Sequence, residues 1–334
     1  MLVSVIIPMH NAENTIERLY TSLYRSNYKD LEIIFIDNAS TDRSYEKVSY
    51  YQMIDPRVKV VKEEKLGVTY ARRHGFQEAT GEYVYFVDAD DYVTPNGIAD
   101  MAWAAEMENA DIVRGHFYSL YDEDIKHALE ICSTPLGFFG RQFDGPSKQS
   151  FQSQNIPMWC ALYKKALIKD HYFVNLQQGE DHLFNLYAYA DAKIVVDIPT
   201  YVYIYIRHQN GLSMTSNLTD AYRLLNEYGK IAVNYAEKGI LESHQIQLEK
   251  RIIQNYLMLY SVEYRTALRN LFDVYALGIN QKRMQDIYEI LKAFKPYSNP
   301  LIREDVSDCE MLMLTNIPCE TEYQEVREKQ LTLK

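Results

Sequence analysis

The chain opens on short apolar runs separated by amphipathic segments. Leu2 to Ile7 is rich in β-branched residues, the signature of a strand buried on both faces. From Ala12 to Asn27, Ile16, Leu19, Tyr20, Leu23 and Tyr24 recur at helical spacing, with Asn11 or Asn14 as the cap. Leu31 to Ile36 reads as a second buried strand. Ser40 and Asp42 open a second helix carrying Tyr45, Val48 and Gln52 on one stripe. Val58 to Val61 is a third strand, and Gly67 to Ala79 a third helix stopped at Gly81. Glu82 to Val87 is the fourth strand. Such alternation predicts an α/β fold: a mostly parallel sheet flanked by helices.

Further along, the pattern changes twice. Leu120 to Gln154 reads as loops and short strands, and Val195 to Arg207 as a strand pair. From Asp220 to Phe294 the period becomes helical, through Leu224, Tyr228, Ile231 and Tyr235, then Ile252, Tyr256, Leu259 and Val262. The expected organisation is one domain over residues 1–215 and a mainly helical extension over 216–334. That extension would pack on the main body or on a second copy, giving a homo-oligomer. No internal repeat or low-complexity tract is present.

Composition narrows the class. The 334 residues are 47% hydrophobic and 24% charged, ordinary for a globular protein. A net charge of -11 disfavours nucleic acid and anionic membranes as partners. The 29 tyrosines suit half-buried surfaces and carbohydrate contacts, or reflect compositional bias. Cys132, Cys160, Cys309 and Cys319 form no C-x-x-C pair, so free thiols are expected. The N-terminal run lacks a basic segment and a cleavage site, and no stretch reaches the roughly 18 apolar residues of a spanning helix. The expected location is the cytoplasm, in solution or peripheral to the inner face of the membrane.

The chemistry concentrates after the strands, where such sheets bind ligands. Pro8-Met9-His10-Asn11 follows the first strand, Asp37 to Asp42 the second, and Asp88-Ala89-Asp90-Asp91 the fourth. Asp88 and Asp90 are two residues apart, so in extended chain they project to one side. Two hard oxygen ligands there suit Mg²⁺ or Mn²⁺ with water and phosphate completing the shell. The alternative is a helix cap near Pro95.

Taken together, Ser4 to Glu13, Glu32 to Asp42, Gly67 to Arg72 and Asp88 to Asp91 resemble the inverting family-2 glycosyltransferases of GT-A fold. The resemblance extends through Trp159 and Gly179-Glu180-Asp181 to about Ser213. It implies a nucleotide-sugar site formed by Pro8, His10, Asn11, Glu13, Asp37, Arg72, Asp88, Ala89, Asp90 and Arg207. In that family His10 occupies the usual tyrosine position against the base, Asp37 accepts from uracil N3, and Asp88 contacts the ribose. Asp90 ligates Mn²⁺ or Mg²⁺, with His208 as a third ligand or a loop histidine. Asp91 orients the metal shell or the sugar. Trp159 and Glu180 are implied on the acceptor side, Trp159 alternatively being a core residue. Asp181 is implied as general base. The departures are His10, Asn38 in place of an acid, and Lys65-Leu66 in place of an asparagine.

The implied activity is transfer of a hexose, galactose or glucose favoured, from a UDP-sugar to a saccharide on protein, lipid or polymer, in the synthesis of surface polysaccharides or glycoprotein glycans. A dinucleotide-dependent oxidoreductase would need Gly-x-Gly-x-x-Gly after the first strand, where Pro-Met-His-Asn-Ala-Glu stands. A P-loop is absent too. A non-catalytic GT-A scaffold remains the alternative.

Overall fold

A computed structural model describes residues 1–121, 141–144, 157–176 and 179–207, with scattered residues between 224 and 240. The chain divides into two compact units, Met1–Asn217 and Leu218–Lys334. In the second, Leu224, Ile231 and Tyr235 are helical and buried, at the spacing the sequence gives them. Tyr228 and the stripe from Ile252 to Val262 lie outside the described residues.

The first unit is built on strands β1 (Val3–Met9), β2 (Leu31–Asp37), β3 (Val58–Lys62), β4 (Tyr83–Phe86), β5 (Tyr92–Val93), β6 (Ile112–Tyr121), β7 (Arg141–Asp144), β8 (Ala161–Lys164) and β9 (Ile194–Arg207). Their order is β3-β2-β1-β4-β8-β6-β9-β5, with β7 also on β9. Strands β3, β2, β1 and β4 pair in parallel. Strand β8 runs antiparallel to β4 and β6, and β9 parallel to β6.

Helices α1 (Ile16–Tyr24), α2 (Ser44–Ile54), α3 (Val68–Glu78), α4 (Gly97–Glu108) and α5 (Glu180–Asp191) flank the sheet. Alternation along β1 divides the core. Val3, Val5 and Ile7 join Ile16, Leu19, Val48, Ile98 and Met101 in one cluster, which places α1, α2 and α4 on that face. Ile6 faces α3, where Gly75 lets the helix approach: a Cβ there would fall 2.4 Å from Ile6 Cγ2. Phe184 of α5 packs edge-on to Phe86 and Tyr163, with centroids 5.5 and 5.3 Å apart.

Several local expectations change. Neither Asn11 nor Asn14 caps α1, whose cap position is Thr15. Helix α2 starts at Ser44, because Asp42 Oδ1 accepts from Ser44 N (2.9 Å) and Glu13 Oε2 from Arg43 N (2.9 Å). The expected strand pair is one 14-residue strand, Ile194–Arg207. Pro199 lies where the β6–β9 register is irregular, between Arg114↔Asp197 and His116↔Tyr201, so its missing N–H interrupts no ladder bond.

Candidate active site

Three loops meet at the carboxyl ends of β1, β2 and β4. Register sets them side by side: Met9 is paired with Asp37, and Ile6 with Phe86 just before the acidic segment. The first two loops are stitched together. Ala12 N donates to Ser44 Oγ (2.8 Å), Glu13 N to Asp42 Oδ2 (3.0 Å) and Thr41 N to Asn11 Oδ1 (2.8 Å). Asn11 and Ala39 take positive φ, 51° and 57°, conformations that asparagine tolerates better than most residues. Pro8 is buried in β1 and Glu13 works at the start of α2, while His10 and Asn11 are exposed.

Asp37 ends β2 almost fully buried, and its Oδ1 has no hydrogen-bond partner. A buried acceptor left open asks for an explanation, and a ligand donor is one. Asn38 beside it is fully engaged through the β3–α3 loop: Gly67 N donates to its Oδ1 (2.7 Å), and its Nδ2 donates to Lys65 O (2.8 Å).

Arg72, on α3, joins distant stretches of chain. Its guanidinium donates to Asp88 Oδ1 (2.9 Å) and to Glu180 Oε1 (2.7 Å). It is 5% exposed, and its Nε has no partner. Burial opposes its charge, but Asp88, Glu180 and Asp181 hold it protonated more firmly than an ordinary arginine. Across this contact, burial and the Asp181 charge push Glu180 up to about 7, against Arg72. Burial likewise raises Asp181, with Arg72 and the His182 N–H (2.7 Å) pulling the other way. Gly179, at φ 84°, starts α5 and points both acids into its first turn.

Asp88 and Asp90 are half-buried, Ala89 is buried, and Asp91 is fully buried. Asp91 therefore has a different part from the one its neighbours suggest. Its Oδ1 accepts from Ile206 N (2.7 Å) and its Oδ2 from the Tyr203 hydroxyl (2.8 Å). That hydroxyl accepts in turn from Asp88 N (3.0 Å). Asp91 thus clamps the acidic loop to β9 rather than facing a ligand. Burial, then the Asp90 and Asp88 charges, push its carboxyl up to about 9. Arg18 of α1 donates to the Asp90 carbonyl and lies 5.3 Å from the Tyr92 ring centroid. No motif in the sequence marks Arg18, and Tyr203 shows there only as part of the strand segment from Tyr203 to His208, on the face shared by Tyr201 and Tyr205.

Trp159 is 6% exposed. It stacks on Tyr203 (4.3 Å between centroids) and Tyr205 (5.3 Å) and meets Phe117 edge-on. It is therefore part of an aromatic wall next to the clamp. Arg207, at the exposed end of β9, donates to Ser119 Oγ (2.6 Å), and the structure records no contact between it and Arg72, Asp88 or Asp181. His208 lies outside the described residues. Among those residues no three His, Cys, Asp or Glu side chains are grouped to hold a metal. A hard cation that keeps water and phosphate needs only one or two protein carboxylates. The chain turns at Ala89-Asp90, with Asp91 N donating to Asp88 O (3.3 Å), so the Asp88 and Asp90 carboxylates are not aligned by an extended strand as expected. As hard oxygen donors of one half-buried loop they still fit Mg²⁺ or Mn²⁺ chemically.

A mostly parallel sheet with helices on both faces, an acidic loop after β4 and a second acidic pair opening α5 define a GT-A type fold. Residues 4–172 match the glycosyl transferase family 2 model, and the chain belongs to that family. It is 30% identical to the uncharacterized glycosyltransferase EpsJ of Bacillus subtilis, over 64% of this chain and 63% of that one. It is 26% identical to glycosyltransferase GlyA of Streptococcus pneumoniae, over 63% of this chain but 31% of the relative. The chain thus spans less than two thirds of either relative. The crystal structure of Staphylococcus aureus TarS 1-349 in complex with UDP-GlcNAc superposes with a TM-score of 0.65 at 19% identity, over 87% of this chain and 82% of that one.

Proposed function

We propose that this protein is an inverting, divalent-metal-dependent glycosyltransferase that moves a hexose from a UDP-sugar to a saccharide hydroxyl. The observation that carries the reading is Arg72, which brings the acidic loop after β4 and the acidic pair opening α5 into one ion-pair network. Donor-side and acceptor-side acids then lie at one end of the sheet, as a single in-line displacement requires. Asp37, buried with an open acceptor, suits a base that carries a ring N–H, such as uracil. The UDP-GlcNAc complex of TarS supports a UDP-linked donor. Galactose or glucose is the favoured sugar, with N-acetylglucosamine next.

In the proposed step the acceptor hydroxyl gives its proton to Asp181 as its oxygen bonds to the sugar C1. The bond from C1 to the diphosphate oxygen breaks, UDP leaves with the electron pair, and the anomeric configuration inverts. Burial keeps Asp181 more basic than an exposed aspartate, which suits it to take that proton. Glu180, fixed by Arg72, positions the acceptor. Asp90, with Asp88 beside it, would hold the divalent ion, which when bound neutralises charge developing on the diphosphate. Among the described residues no helix is long and apolar enough to cross a membrane. We place the activity in surface polysaccharide or glycoprotein glycan synthesis.

The test is a panel of UDP-sugars with Mn²⁺, scored for UDP release with and without saccharide acceptors. One or two hexose donors should be turned over, and Asp181→Asn should lose transfer while still binding UDP. No UDP released from any donor would point to a scaffold that keeps the fold without the reaction.

A further inference from the structure

The departures from the family pattern lie together and are joined. Thr41 N donates to Asn11 Oδ1 (2.8 Å), and its hydroxyl does so at 3.2 Å. A backbone N–H can only donate, so the oxygen of the Asn11 amide faces Thr41. Its Nδ2 then faces His10 Nε2 at 3.2 Å. An amide NH₂ offers no acceptor, so Nε2 carries no proton. On the other side of the ring, His10 Nδ1 is 2.8 Å from the Asn38 carbonyl oxygen, which can only accept, so Nδ1 carries the proton. The line continues through the Asn38 side chain, which accepts from Gly67 N (2.7 Å) and donates to Lys65 O (2.8 Å) and Glu63 O (3.2 Å). An aspartate at 38 could accept from Gly67 but donate to neither carbonyl. Asn38 thereby secures the β3–α3 loop where Lys65-Leu66 replaces the family's asparagine.

We propose that the Asn11 side chain and the Asn38 backbone carbonyl, the latter set by the Asn38 side chain's bonds to the β3–α3 loop, position His10 as the neutral Nδ1–H tautomer. The pocket then offers an uncharged, oriented imidazole face near Asp37 to a pyrimidine base with a protonated ring nitrogen. This rests on the UDP-sugar reading above. It goes further by assigning a protonation state and a chain of control to one side chain.

Side-chain ¹⁵N spectra of the full chain, with His10→Gln to identify the signal, test it without any ligand. The parent should show a protonated Nδ1 and a bare Nε2. Asn11→Asp keeps an acceptor for Thr41 but turns an oxygen toward Nε2. It should place a proton on Nε2 that the parent lacks and weaken UDP binding about tenfold, roughly the loss of one good hydrogen bond. Asn38→Asp should weaken UDP to a similar degree with Mn²⁺ present. A parent protonated on Nε2, or variants that both bind UDP like the parent, would overturn the inference and leave the glycosyltransferase reading standing. A parent that binds no uridine nucleotide overturns the base-pocket reading and the inference with it.

Discussion

At the residue scale, Arg72 carries the most. Its guanidinium is buried between Asp88 and Glu180, and removing one partner of such a set leaves uncompensated charge. Arg72→Met should cost about 3–5 kcal/mol in urea unfolding and abolish transfer. A loss under about 1 kcal/mol would show that the carboxylates do not depend on it. The acidic pair opening α5 makes a pH prediction. Glu180 is raised to about 7, so the folded state binds its proton more tightly than the unfolded chain. The associated stability is fully present below the ordinary carboxylate range and is lost as pH rises through about 7. Glu180→Gln should flatten that decline in pH-dependent melts. On the proposed mechanism catalysis runs the opposite way, because Asp181 accepts a proton only when ionised and burial raises it. The acid limb of kcat/KM should therefore fall at higher pH than an exposed aspartate gives, with apparent values that belong to the pair. A profile flat down to about pH 4, where an unperturbed aspartate titrates, would exclude Asp181 as the base.

At the scale of elements, β1, β2, β4 and α1 are legible because each buries one consistent run or stripe. In contrast, β3, α2 and α3 follow from the strand-helix alternation: β3 is half-buried, α2 buries Ser44 and Val48 with Gln52 of the expected stripe exposed, and α3 buries Thr69, Ala71, Arg72 and Gly75. Strand β6 and helix α4 are not legible. Arg114, Gly115 and His116 break the apolar run of β6, and they do so because Arg114 pairs with Asp197 inside the sheet while the register slips at Gly115. Helix α4 is apolar nearly all round, with Trp103 and Met107 exposed opposite Ile98 and Met101, so no stripe stands out. Pro199 makes β9 read as two strands. Packing of α3 on the sheet yields a test. In a free helix Gly→Ala is stabilising by about 0.5–1 kcal/mol. At Gly75 the new methyl would meet Ile6 Cγ2 at 2.4 Å and Ile36 Cγ1 at 3.2 Å. The clash should win, and Gly75→Ala should destabilise by about 1–3 kcal/mol in chemical denaturation. A rise in stability would show that α3 is free to shift.

At the scale of the molecule, the gathering of Asp37, Asp88, Arg72 and Glu180 was legible only as motifs. Sequence spacing cannot show that Arg72 reaches a residue 108 positions away, nor that Asp91 turns inward to β9. Those depend on register and on the crossover that lays β9 beside β6. The crowding of acids at one end of the sheet predicts linked binding. UDP with Mn²⁺ should raise Tm by more than the sum of the two alone, approaching about 2.7 kcal/mol of stabilisation when ligand exceeds Kd a hundredfold. Asp90→Asn should remove the synergy and leave the fold intact. Additive shifts would mean that the ion does not bridge protein and diphosphate. Strand β9 has a further consequence. It takes Asp91 by the Ile206 N–H and the Tyr203 hydroxyl, and its last residue, Arg207, leads directly to His208. Because one hydroxyl serves both groups, loosening this strand at Tyr203 would release the Asp91 carboxylate and the Asp88 N–H together.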